Sequence, residues 1–599
     1  MEPIQPTIES SSGAAAAHKP VDTWDFQGAF VRILRECFTT PRGWCLICVC
    51  FAFIAVWPAR HHIGVDGLSY LDIGSEASSG DLRALGNSYW SPAYPALIAG
   101  AIFLLRPTAG YEVPVVQLVD LVIFIFTVWA FSIFYRCWSS SISEFEQAGK
   151  SAKGLFTLFS FACFLWYTSS SIGIGTTTPD MLVMAGVLLV AAMGCRISSP
   201  GAGWKQFVGL GALLGAGIYV KAALFPLGFA FIALLFLSLV RTSDIPRRTL
   251  VTYLALTTAT CFAVATPLVA YLSFQAGKFS TGETGKLNYL WRVDKLKPDI
   301  VGWTGGTPPE YGAPLHPPRK LIENPTVLEF ATPVAGTYPL WHSPGYWYAG
   351  AKAKFNFRKQ VTAVGENLIE YYWIAHHSIA FVGGAILLLV FSLGKSSRAQ
   401  PWHASSWLLA WPLAACAMYA LVNTHERYVV PFLLLLSLEV YRALVFRVNR
   451  RVSLGICAIV LLVAMTPVAL SAGRSIATTV SEFRHPADED YVVVAHNLKR
   501  LGLQPGDKLA VIGGLFHFFY ARYDRLRVVS QFLSSDEFWQ LDPADAKTVE
   551  SRLASIGIKA LVAVNRPQVH QEAGWIEVGT VEGRHLSVLL LQPAEDTSR

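Results

Sequence analysis

Four ionisable residues stand where a mostly apolar chain leaves them little ordinary surface: Asp66 in HIGVDGLSYLDIG, Asp180 in GTTTPDMLVM, Lys221 in GIYVKAALFP, and Arg427 in NTHERYVVPF. A carboxylate at Asp66 can take the proton of a hydroxyl, which is the task of a general base. Tyr70 and Asp72 follow it closely and are accessory candidates. The plainer role for Asp66 is a helix N-cap, and Asp180, behind a Pro and a Thr run, suits the same purpose. Lys221 and Arg427 are cations able to hold a phosphate, Arg bidentately. Their plainer role is snorkelling to lipid headgroups. His425 and Glu426 flank Arg427 and could bind a metal or donate a hydrogen bond. A single His-Glu pair is a weak metal signal, and solvated loop residues are the simpler reading.

The elements that position these groups must cross a bilayer. Of 599 residues, 53% are hydrophobic and 15% charged, with a mean hydropathy of +0.41. Soluble chains carry about 25% charged residues, so a cytosolic enzyme is excluded, as is a disordered or collagen-like chain. The net charge of +7 gathers in no basic cluster interleaved with aromatics, so no nucleic-acid partner is expected. Runs long enough to span predict about eleven transmembrane helices: 42–58, 114–135, 154–171, 178–195, 205–219, 222–240, 249–274, 371–394, 405–421, 428–446 and 453–472. Residues 205–240 must be divided, because that helix would extend about 54 Å. Lys221 and Pro226 mark the turn. The apolar stretch Ser91–Leu105 is short for a crossing and is read as an interfacial helix on the outer surface, with Tyr89, Trp90 and Tyr94 at headgroup level.

Orientation follows from the basic residues of the short connections. One set of alternate ends holds seventeen Lys and Arg, among them Arg136, Lys150, Arg196 and Arg450, and the opposite set holds five. The N-terminal segment 1–41 is therefore expected in the cytoplasm. The first apolar run starts too far into the chain for an ordinary signal peptide and reads as an uncleaved span. Outer loops 59–113 and 276–370 and the tail 473–599 then share the outer side. The tail reads as an extracytoplasmic α/β domain: a helix over Asp488–Leu501, buried strands at Lys508–Ile512 and Ala560–Val564, and a hairpin, Glu577–Thr580 with Leu586–Leu591, around Glu582-Gly583. It carries no GxGxxG and no P-loop. All ten Cys fall in or beside apolar segments, and Cys45 and Cys48 form a CxxC without a second pair, so packing is preferred over metal.

The long loop 276–370 contributes Trp291, Trp303 and the aromatic run YPLWHSPGYWY, Tyr338–Tyr348. Flat aromatic faces suit sugar rings or the membrane interface, and loops of such length are usually functional. With these residues the chain resembles the GT-C glycosyltransferases. The resemblance rests on an outer first loop with Asp66 and Tyr70, the stretch YWSPAYP, TPD before a span, a GxxxGxxxxxK element over Gly211–Lys221, and ERYVVPF before a late span. It covers residues 42–472 and lies nearest the bacterial branch similar to protein O-mannosyltransferases and the lipid A aminoarabinose transferase.

What the resemblance implies is a polytopic α-helical membrane protein, GT-C-like, with a catalytic transmembrane domain over 42–472. Such an enzyme transfers a sugar from a polyprenyl-phosphate donor to a lipid, glycan or protein acceptor on the outer side of the membrane. Asp66 matches the catalytic base and Asp180 the second acidic position, while Lys221 and Arg427 match basic positions near the donor phosphate. A bacterial inner membrane is the expected location. Two departures weaken the expectation of a bound metal and of aminoarabinose as the sugar: the acidic residue often next to the first-loop Asp is Gly67, and the Lys-Pro-Pro of the aminoarabinose branch is Ser91-Pro92-Ala93. No metal ligand is assigned, and a divalent cation stays open as a cofactor. A transporter or lipid flippase is the rival reading, and a non-catalytic scaffold a third. Intramembrane charges near the midplane and paired repeats would mark the former. All of these readings turn on whether Asp66, Asp180, Lys221 and Arg427 share one cavity.

Overall fold

The computed structural model describes Glu36, Phe145 and residues 38–142, 149–296, 311–393, 406–484, 489–513, 518–567 and 574–592. Helix α1 (Pro41–Val56) starts behind Thr40, whose hydroxyl accepts from the Gly43 N–H at 3.2 Å, with Pro at the first position. It is followed by α2 (Val65–Ser78), α3 (Ala93–Leu105), α4 (Glu112–Ser140), and α5 (Lys150–Trp166), which widens into a π-helical turn through Ile172. Then come α6 (Asp180–Ser198), α7 (Trp204–Val220), α8 (Leu224–Thr242), α9 (Arg247–Ala276), α10 (Thr284–Arg292), α11 (Phe357–His377), α12 (Ile379–Leu393), α13 (Trp407–Val422), α14 (Glu426–Val445) and α15 (Arg450–Arg484).

Among the described residues, seven helices are long and apolar enough to cross a membrane, or eight if the bent pair α11–α12 counts as one span. Ten of the eleven expected spans each coincide with one helix, of which α1 and α13, with 16 residues each, and α5 and α7, with 17, are the short ones. The expected span 371–394 needs correcting. Its first residues belong to α11, which ends at His377, and the chain turns by 83° before α12. The apolar window merged the end of α11 with α12, and Leu368, Ile369, Tyr372 and Trp373 of α11 are exposed alongside its polar residues.

Contacts between distant segments tie the connections to the tail. Asp72, before α3, and Glu112, after it, both meet Arg522 of the tail, at 3.3 and 2.7 Å. The chain before α3 and the chain after it therefore meet at one tail residue. The long loop joins the same cluster, because its Thr337 bonds to Asp72 through both its N–H and its hydroxyl, at 2.7 and 3.0 Å.

The tail supplies α16 (Asp490–Arg500), α17 (Phe519–Tyr523), α18 (Ser535–Trp539), α19 (Pro543–Ser555) and most of a seven-stranded sheet. The first two strands come from the long loop: β1 (Arg319–Ile322) and β2 (Val327–Glu329). The tail adds β3 (Lys508–Ile512), β4 (Arg527–Phe532), β5 (Ile558–Val564), β6 (Trp575–Val581) and β7 (Arg584–Leu590), in the order β1-β2-β4-β3-β5-β7-β6. β3 lies parallel to β4 and β5, and β2 joins antiparallel to β4 with Val327 opposite Phe532. The central β3 and β5 are buried on both faces, as parallel strands usually are. Glu582 and Gly583 both have positive φ, 49° and 75°, which suits a tight hairpin between β6 and β7. β1, β2 and β4 were not foreseen. The sheet thus joins the long loop to the tail, and α15 runs on to Arg484, past the expected end of the last span at 472.

Candidate active site

Four chain segments bring the ionisable residues together. Gly64, extended, precedes α2, and Asp66 sits in the first turn without capping a backbone N–H. Asp180 opens α6 behind Pro179 and also makes no capping bond. The N-cap reading of both carboxylates is therefore not what the structure has. Lys221 ends α7 in extended backbone, φ −158°, and Arg427 lies in the first turn of α14.

Asp180 is the hub, its side chain 2% exposed. Its Oδ1 accepts from Lys221 Nζ at 2.5 Å, and its Oδ2 accepts from the Thr178 hydroxyl at 3.0 Å and lies 3.4 Å from Arg427 Nε. Arg427 Nη2 donates to Asp66 Oδ2 at 2.9 Å. Among the described residues Arg427 is the hydrogen-bond partner of Asp66. The Lys221 ammonium also stands 3.7 Å over the Tyr428 ring, a cation–π contact that the sequence reading missed. Two carboxylates and two cations sum to zero charge.

These four residues line a cavity of about 430 Å³. Tyr70, Tyr89, Trp90 and Tyr428 form aromatic walls, Thr284, Lys286, Asn288 and Asn423 a polar one, and Pro226, Met418 and Val422 an apolar one. A second, apolar cavity of about 150 Å³ lies among α6, α7, α8 and α13, bounded by Leu182, Gly217, Leu224 and Trp411. Tyr70 faces the main cavity because four residues along a helix return to about the same face. Burial there pushes its phenol well above the ordinary value, with the Asp66 charge adding to it.

The remaining accessory candidates lie elsewhere. Asp72, six residues beyond Asp66, is about two-thirds of a turn round the helix; it is 3% exposed and binds Thr337 and Arg522 instead. Glu426 points to α11 and pairs with His377 Nδ1 at 2.6 Å. His425 packs against Tyr428 at 5.4 Å and does not line the cavity. Burial, together with the Arg427 charge, lowers its imidazole pKa. Among the described residues no three His, Cys, Asp or Glu side chains gather closely enough to hold a metal ion. Cys45 and Cys48 are free thiols within α1.

Trp291 and Trp341 of the long loop pack behind the aromatic wall of the cavity. Trp291 stacks on Trp341 at 6.0 Å and meets Tyr89 at 5.6 Å, while Trp90 meets Trp341 at 5.8 Å. Tyr94, expected at headgroup level, is fully buried. Trp303 lies outside the described residues.

Gly67 has a structural reason. A Cβ there would stand 2.2 Å from Thr177 Oγ1 and 2.7 Å from Thr177 Cβ, so the Thr177 side chain occupies the space a second carboxylate would need.

No protein-family model and no curated protein matches the chain. Solved structures do. ArnT from Cupriavidus metallidurans, bound to undecaprenyl phosphate and in the apo state, superposes at TM-score 0.50 in both cases, with 13% identity over 91% of this chain and 98% of that one. The Archaeoglobus fulgidus oligosaccharyltransferase complex with Zn and sulfate has TM-score 0.49 and 12% identity, over 87% of this chain and 67% of that one. The likeness to ArnT, at this identity, is one of fold: the chain is an integral membrane protein with the GT-C fold.

Proposed function

We propose that the protein transfers a sugar from a polyprenyl-phosphate donor to an acceptor on the outer side of a bacterial inner membrane, with its N-terminus cytoplasmic and its tail outside. The observation that carries this reading is the convergence of Asp66, Asp180, Lys221 and Arg427 on one cavity with a polar wall and an apolar wall. A lipid-linked sugar has that division, and undecaprenyl phosphate is the ligand of the ArnT structure that shares the fold.

In the proposed reaction Arg427 and Lys221 hold the donor phosphate, and the prenyl tail runs along the apolar side toward Pro226 and Met418. Asp66 takes the proton of an acceptor hydroxyl as that oxygen bonds to the anomeric carbon. The bond from that carbon to the phosphate oxygen breaks, its electron pair leaves with the polyprenyl phosphate, and a single displacement inverts the anomeric centre. Negative charge on the phosphate grows as the bond breaks, so its attraction to the two cations is greatest in the transition state. Asp180, with both oxygens engaged, serves this chemistry by orienting Lys221 and Arg427. Asp66, with one oxygen on Arg427, keeps acceptor capacity for the proton.

The test is a deletion strain whose glycolipids, glycans and glycoproteins are compared with the parent by mass spectrometry, then complemented with Asp66→Asn. The missing product should return with the wild-type gene and not with Asp66→Asn, expressed at the same level in the membrane. A full return with Asp66→Asn refutes the base assignment, and an unchanged glycan inventory in the deletion strain refutes transfer.

A further inference from the structure

Asp120 and Gln117 lie one turn apart on α4, inside an apolar run, and both are buried. An ionisable group in such a place is retained for a purpose, and its partners are specific. Asp120 Oδ2 accepts from the backbone N–H of Thr177 at 3.1 Å, and Oδ1 accepts from the Tyr94 hydroxyl at 2.7 Å. Gln117 Nε2 donates to two carbonyls, His62 O at 2.8 Å and Gly175 O at 2.9 Å. Those carbonyls belong to the two connections that deliver Asp66 and Asp180.

Thr177 joins the two. Its φ is +54°, a region a β-branched residue rarely enters, so the turn persists only where the surroundings enforce it. Asp120 enforces it from below by taking its N–H. From the other side the Gly64 N–H donates to Thr177 Oγ1 at 3.2 Å, one residue before α2 begins. The next residue, Thr178, donates to Asp180. Gly175, at φ +86°, completes the close approach: a Cβ there would stand 2.4 Å from Gln117 Oε1.

We infer that Asp120, supported by Gln117, is a positioning residue that holds the strained turn at Thr177 and thereby sets the distance between the Asp66 and Asp180 carboxylates. This rests on the proposed transfer reaction, in which a displacement of about 1 Å at the reacting groups is enough to cost about 100-fold in rate.

The experiment uses full-length protein in two assays: product formation in the complemented deletion strain, and binding of undecaprenyl phosphate to purified protein in nanodiscs. Asp120→Ala loses both hydrogen bonds, and product formation should fall at least 30-fold while undecaprenyl phosphate affinity stays within threefold. Asp120→Asn can still accept from Thr177 N–H and donate to the Tyr94 hydroxyl oxygen, so it should retain a third or more of wild-type product formation. Thr177→Val keeps the volume, removes only the acceptor for Gly64, and should lose about tenfold, which gives a reading even if Asp120→Ala does not fold. The inference is overturned if Asp120→Ala or Thr177→Val forms product at the wild-type rate, if lipid affinity falls in parallel with product formation, or if Asp120→Asn is as impaired as Asp120→Ala. Asp66→Asn is run alongside: product formation surviving there overturns the base assignment and leaves the positioning result standing on its own data.

Discussion

Replacing Arg427 by Gln tests the donor site most directly, because the substitution keeps much of the side-chain stem and removes the charge. The guanidinium spans Asp66 and Asp180, at 2.9 and 3.4 Å, and is 24% exposed. With a phosphate in the cavity it would offer two charge-assisted hydrogen bonds, each about 1.5 kcal/mol at the lower end of their range. Their loss amounts to about 3 kcal/mol, roughly 100-fold in affinity. The four-residue charge also falls from zero to one negative, which acts in the same direction. The assay is undecaprenyl phosphate binding to purified protein in nanodiscs, repeated at high salt. A control lies on the same helix: Arg442, near the far end of α14, pairs with Glu439 at 2.6 Å, well away from the cavity residues. Arg442→Gln leaves the 2% exposed Glu439 carboxylate without its cation and should lower thermal stability, with lipid affinity unchanged. Affinity within threefold of wild type in Arg427→Gln refutes the phosphate assignment.

Other expectations follow from single contacts. Gly67→Ala forces a Cβ to 2.2 Å from Thr177 Oγ1 and should cost about 1–3 kcal/mol of stability with at least tenfold lower product formation, whereas Gly100→Ala, with no atom within 4 Å of the added carbon, should change neither. Arg522→Ala strips the buried Asp72 and Glu112 of a shared cation; a destabilisation of about 3 kcal/mol and faster proteolysis of the tail are expected, and unchanged digestion would contradict it. Burial, with Glu482 and Asp490 nearby, raises the Glu489 carboxyl pKa above its ordinary value. A raised folded-state value means that stability falls as pH rises through the interval between the unfolded and folded values, so Glu489→Gln should raise the melting temperature at about pH 7 and have little effect at about pH 4.

The spans were readable because hydropathy over about 20 residues is a local quantity, and even the divided run at Lys221 and Pro226 falls where expected. The break between α11 and α12 was not, since the apolar residues of α11 alternate with Glu366 and Glu370 and merge with the next apolar run. In the tail, β3, β5 and the β6–β7 hairpin carried their own apolar and turn signals. β2 and β4 pair across about 200 residues, and no local pattern announces such a partner. The four cavity residues were singled out by order and sidedness, but their ion pairs join positions 41 to 361 residues apart and had to be seen in three dimensions. Asp72 was grouped with Asp66 by proximity in sequence, which a helix converts into a different face. Asp120 had a signal that was passed over, a carboxylate in the middle of an apolar run.

The shared sheet also imposes a schedule on the newborn chain. Strands β1 and β2 are synthesised about 200 residues before β4, which at roughly 5–20 residues per second is a wait of about 10–40 s. During that interval Val327 and Leu328 belong to a two-stranded hairpin too small to be stable alone, with an open edge able to recruit a stranger. The tail is thus a keystone set last, and a polypeptide cut short before Arg527 would reach the bilayer with its helices in place and an adhesive seam on the surface.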